Sequence, residues 1–150
     1  LRFIVLYGER HTDAELSRLM DQLLVYPDIV VGLSLFKNRL TDETGVKLAH
    51  YVAASTTIQV LPLYGNRFGE ATYLAMAAAL HTNTSLQRLG LHGNEAVDKS
   101  RVDEAFVQAL RLNPVRLVDS CWHLYESGHS NDDFKRLQQQ ANELGHPSMQ

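Results

Sequence analysis

Two columns of residues recur where recognition chemistry could sit. An aromatic or imidazole side chain follows a pair of strand-type apolar residues four times, as Tyr7, Phe36, Tyr64 and His92. Three residues beyond each stand Arg10, Arg39, Arg67 and then Glu95. Tyr and Arg are among the residue types that concentrate binding energy at protein interfaces, because each offers a large contact area together with a polar edge. Combinations that would point to catalysis are weaker. Cys121 and His123 lie two apart, but a thiol–imidazole pair needs an orienting third group and a cleft, and the sequence signals neither. Cys121 therefore reads as a core residue. The seven histidines show no ligand spacing such as His-x3-His, and the Tyr7-Gly8 and Tyr64-Gly65 pairs lack the context of a phosphate-binding loop. No catalytic residue, metal or cofactor is expected.

The elements that must hold these columns come from an internal repeat. Leu33-Ser34-Leu35-Phe36-Lys37-Asn38-Arg39-Leu40 returns as Leu61-Pro62-Leu63-Tyr64-Gly65-Asn66-Arg67-Phe68, and again as Leu89-Gly90-Leu91-His92-Gly93-Asn94-Glu95-Ala96. Both steps are 28 residues, and an earlier copy beginning at Ile4 has Glu9 in place of the asparagine. Three residues upstream of each copy stand Leu1, Val30, Ile58 and Leu86. The pattern is then L-x-x-L-x-L-x-x-N-x-L, the signature of leucine-rich repeats. Alternating apolar residues send one side of a short strand into a core. The asparagine amide can satisfy backbone groups left unpaired where each coil leaves its strand.

The second half of each repeat has helical spacing. Leu16, Leu19 and Leu23 form one stripe, Val46 or Leu48 with Val52 a second, and Met76 with Leu80 a third. Thr12-Asp13 and Thr41-Asp42 supply oxygens to cap helix starts. Strand, outer helix and a 28-residue period resemble the ribonuclease-inhibitor-like class of leucine-rich repeats. That resemblance implies an α/β fold, a right-handed horseshoe segment with parallel strands on the concave face and helices on the convex face. The short form also resembles the leucine-rich-repeat effectors of intracellular bacteria such as Legionella.

In the fourth repeat Phe106 and Leu110 fall two residues late, as an insertion within Val97–Val102 would produce, and Asp98-Lys99-Ser100-Arg101 reads as an exposed loop. Val115–Val118 reads as a last short strand. Beyond it, Cys121–Tyr125 and a helix opened by Ser130–Asp133 and carrying Phe134, Leu137, Ala141 and Leu144 read as a C-terminal cap. The expected organisation is repeats over 1–118 and a cap over 119–150.

Apolar residues make up 45% of the 150, the formal charge is −3, and Cys121 is the sole cysteine. That balance suits one ordinary globular domain, offers no general basic surface for nucleic acid, and suits a reducing compartment such as a cytosol. No apolar run approaches a bilayer span, so membrane insertion is not expected. The expected function is binding of another folded protein, an enzyme or effector among the possibilities, through the concave face. Such binding would modulate or inhibit the partner. The aromatic and arginine columns would carry it, with Trp122 and Tyr125 extending the surface, although packing in the cap is a competing role for Trp122. The alternatives are common descent of the repeats or cross-strand packing for the rings, and ion pairing with Asp42, Glu43 and Glu70 for the arginines. For the whole chain, the competing expectation is an inert piece of a longer repeat receptor or scaffold.

Overall fold

The computed structural model describes residues 2–6, 8, 10–113, 121–125 and 132–145. Strands and helices alternate: β1 (Phe3–Val5), α1 (Asp13–Val25), β2 (Gly32–Ser34), α2 (Asp42–Ala54), β3 (Val60–Pro62), α3 (Glu70–Ala79), β4 (Arg88–Gly90), α4 (Lys99–Leu112), β5 (Cys121–His123) and α5 (Asp132–Leu144). The strands form one parallel sheet in the order β1-β2-β3-β4-β5. Its register joins the repeats, with Ile4 opposite Leu33, Leu61 opposite Leu89, and Leu89 opposite Trp122. Parallel strands sit about 4.8 Å apart, whereas packed helices need 8–10 Å. A coil with one strand and one helix must therefore bend with its sheet inside, which makes the free sheet face concave. This is the leucine-rich-repeat solenoid that the spacing implies.

The core fills the space between sheet and helices. Leu33, Leu61, Leu89 and Trp122 point into it from equivalent strand positions, and Leu16, Leu48, Met76 and Phe106 meet them from the helices. In α1 the buried stripe is Leu16, Met20 and Leu23, with Leu19 partly covered.

Three polar ladders hold the coils together. Asn66 donates from Nδ2 to the carbonyls of Leu35 and Leu63 at 2.9 and 3.1 Å, while its Oδ1 accepts from the Leu40 amide. Asn38 does the same for Leu6, Leu35 and the His11 amide, and Asn94 for Leu63, Leu91 and the amides of Asn66 and Phe68. A second ladder, not evident in the repeat pattern, lies where helices return to strands. Asn83 donates to the Val52 and Ser55 carbonyls and Asn113 to those of Leu80 and Asn83. The third joins helix starts. Thr12 and Thr41 cap their own helices, but Asp13 accepts from the Thr41 amide and from the hydroxyls of Thr41 and Thr44 one coil on. Asp42 likewise accepts from Gly69 and Thr72.

Three sequence expectations need revision. Asp98 is not loop but the N-cap of α4, and Lys99, Ser100 and Arg101 form its first turn, their polarity reflecting an exposed helix start. The last described strand is Cys121–His123, so the segment read as cap supplies both a strand and the closing helix; Val115–Val118 lies outside the described residues. On α5, Phe134, Leu137 and Ala141 are buried, but Leu144 is exposed.

Candidate functional site

Strand alternation decides which side chains reach the free face. With Ile4 packed toward the core and Leu33, Leu61 and Leu89 buried, the residues flanking them turn to the other face, and these include Phe3, Val5, Val60, Pro62, Arg88 and Gly90. The residue after the second inward position also stays out of the core. Phe36, Tyr64 and His92 are half-buried and stacked on one another. Ring centroids lie 4.7 Å apart for Phe36 and Tyr64 and 4.8 Å for Tyr64 and His92, with interplanar angles of 16° and 11°. The spacing is that of the strands beneath. His123, reached from β5, continues the row at 5.4 Å from His92 with a tilt of 51°. Stacking covers the ring faces, so their edges remain for a partner. Tyr7, the expected first member, lies outside the described residues.

The stack is set by the turn that follows it. Gly65 and Gly93 have φ of 73° and 70°, and Lys37 takes the same left-handed conformation at 57°. That conformation favours glycine and is costly for a lysine. It breaks the strand alternation, so the ring stays on the free face while the asparagine two residues later turns inward.

Arg10, Arg39 and Arg67 are exposed, as expected. Two of the three acids that could have paired with them are engaged elsewhere: Asp42 serves the start of α3, and Glu70 faces Arg101 at 3.4 Å. Among the described residues neither Arg39 nor Arg67 forms an ion pair.

Trp122 and Tyr125 do not extend the surface. Trp122 is 0% exposed and meets Phe106 and Phe134 edge-on at 5.8 and 5.1 Å. It is a core residue because it takes the place of a strand leucine. Tyr125 follows the inward pair Trp122 and Leu124 as Tyr64 follows its own, yet it is buried, stacks on Tyr73 and donates its hydroxyl to Asp103 at 2.8 Å. Burial, reinforced by the Asp103 carboxylate, pushes that hydroxyl far above the usual tyrosine range. It stays a neutral donor.

Between β3, β4 and β5 the free face dips into a groove of about 460 Å³. Val60, Pro62 and Tyr64 form one wall, Gly90 the floor, and Arg88, His92 and His123 the remaining rim. Sequence reading missed Arg88 and Gly90 on β4 and His123 on β5 as site residues because none of them recurs in a column. Their signal is positional: they are the outward strand residues nearest the stack. Among the described residues no group of three or more His, Cys, Asp or Glu side chains is placed to hold a metal ion, and no helix is long and apolar enough to cross a membrane.

No family model and no curated protein sequence matches the chain. Among solved structures the fold is similar to that of leiomodin-1 actin-binding site 2, with a TM-score of 0.74 and 19% identity over 95% of this chain and 81% of that one. At that identity the likeness concerns the fold.

Proposed function

We propose that the chain is a protein-interaction module that holds a folded partner on its concave face. The observation that carries this is the continuous row of partly exposed rings along an uncovered sheet, flanked by Arg39 and Arg67, which form no ion pair among the described residues. The similar solved structure is described as an actin-binding site, which is consistent with a protein partner and makes actin the first purified candidate to test.

In the finer reading the module acts by occlusion, as a regulator or inhibitor in a cytosol, in the manner of ribonuclease-inhibitor-like repeats and short bacterial effectors. It carries no catalytic role and needs no cofactor. The test is affinity capture with wild type and a Phe36→Ala/Tyr64→Ala variant of matched thermal stability, with actin assayed separately. A partner held by wild type and lost by the variant supports the proposal; partners held equally by both overturn it.

One observation favours the second reading, a piece of a longer scaffold. Five of the exposed large apolar residues, Phe3, Val5, Val25, Tyr26 and Ile29, belong to the first repeat. A further coil stacked on β1 and α1 would cover part of them. If so, adding a consensus repeat before β1 should raise the melting temperature; no gain counts against it.

A further inference from the structure

We propose that the groove over Gly90 receives a carboxylate, so that the partner's contact segment is acidic, with an Asp or Glu beside a large apolar residue. This rests on the concave face being the binding surface. Four features of the groove support it.

The first is the charge around it. Of the described side chains on the outward strand positions and in the stack, none is acidic: they are apolar, small or aromatic, with Arg88, His92 and His123 the ionisable groups of the groove. The chain nevertheless carries 17 acidic residues against 14 basic ones. Most of the described acids sit at helix starts and on the helices, as Asp13, Asp42, Glu70 and Asp103 show, and Glu95, on the loop that follows the stack, is an exception at the end of the arginine column. Such segregation leaves the inner face the natural landing place for negative charge.

The second is the donor set. Arg88 is exposed and forms no ion pair among the described residues. His123 stands at the rim of the same groove and is partly exposed. A bound carboxylate would accept from the guanidinium and from the His123 imidazole together.

The third is space. Gly90 is not in the left-handed conformation that calls for glycine. A Cβ there would lie 3.7 Å from Tyr64 Cδ1 and 3.8 Å from His92 Cε1 and Pro62 Cα, ordinary contact distances. The backbone would therefore accept a side chain, and the glycine keeps open the space that a side chain would fill.

The fourth is the apolar wall. Val60 and Pro62 give the adjoining residue of the partner a surface to bury against. Beyond Tyr64, exposed Lys37, Arg39 and Arg67 continue the positive side and would meet further acids along the same segment.

The test is selection of a random-peptide display library on the immobilised 150-residue protein. Enriched peptides should share an Asp or Glu next to a large apolar residue. The leading peptide should lose about tenfold or more in affinity when that acid becomes its amide, and also against Arg88→Gln or Gly90→Val, as loss of a charge-assisted contact predicts. Arg88→Gln should keep the wild-type thermal melt, since Arg88 is exposed, and Gly90→Ala, whose Cβ meets only ordinary contacts, should keep it too and serves as the control for Gly90→Val. Peptides that lack an acid yet lose binding in Tyr64→Ala would overturn the carboxylate proposal and leave the concave face standing. Enrichment indifferent to Tyr64→Ala would overturn both. No enrichment, or a single-stranded oligonucleotide that outcompetes the leading peptide, would overturn the acidic segment.

Discussion

The asparagines and the rings two residues before them recur with the same 28-residue regularity, yet the fold uses them in opposite ways. Asn38 and Asn66 are 7% and 8% exposed, and each amide spans carbonyls and an amide of two coils. Phe36, Tyr64 and His92 stack along the sheet and stay partly in solvent. What separates them is the left-handed residue between, Lys37, Gly65 or Gly93. Without it, strand alternation would place both columns on one face. Recurrence shows that a position is constrained; burial and hydrogen bonding show by what.

The comparison can be strained from its firm side first. Trp122→Ala should cost about 3–5 kcal/mol in chemical denaturation, as expected for emptying a fully packed aromatic site; a loss under about 1 kcal/mol would mean β5 is not an integral coil. Asn66→Ala should cost about 2–3 kcal/mol, because two buried carbonyls and the Leu40 amide lose their partner together. Tyr64→Ala should cost only about 0.2–1 kcal/mol of stability, the worth of a cross-strand pair, while reducing partner affinity by about 2 kcal/mol in calorimetry. If Tyr64→Ala destabilised as much as Asn66→Ala, the rings would be structural and the contrast would vanish. The smallest effect concerns Asp13. Burial works to raise its pKa, but hydrogen bonds from Thr41 and Thr44 outweigh that and hold the carboxyl below the usual range. Its contribution to stability is complete above the ordinary aspartate pKa of about 4 and fades as pH falls through the lowered folded value. Thermal melts from pH 6 to pH 2 should therefore be less steep in pH for Asp13→Asn than for wild type.

Much of this was legible in the chain itself. Leucines at fixed steps specified strands and coil period, and the asparagine after each strand pointed to its ladder. The ring column was visible, and so was its exposure once the strand leucines were assigned inward. The second ladder was hidden because Ser55, which accepts from the Thr57 and Ile58 amides, stands where Asn83 stands one coil later. Trp122 escaped recognition as a strand residue because the connection before it is longer and no asparagine follows. The reach of Asp13 and Asp42 into the next coil was also hidden, since an aspartate at a helix start looks the same whichever helix it serves. Gly90 shows the deepest limit: a groove is made by what neighbouring strands omit, and an omission has no motif.

The interlocking of Asp13 with Thr41 and Thr44, and of Asp42 with Gly69 and Thr72, bears on how the chain comes apart. A coil released from its predecessor loses its packing and also leaves a helix terminus incomplete. In a linear array this places much of the free energy in the couplings between neighbours rather than in the units. Fraying across the α1–α2 and α2–α3 steps is then penalised by the broken interlock as well as by lost packing. Amide hydrogen exchange should accordingly give similar protection in the helices α2, α3 and α4, with the array opening as one cooperative block instead of unravelling coil by coil.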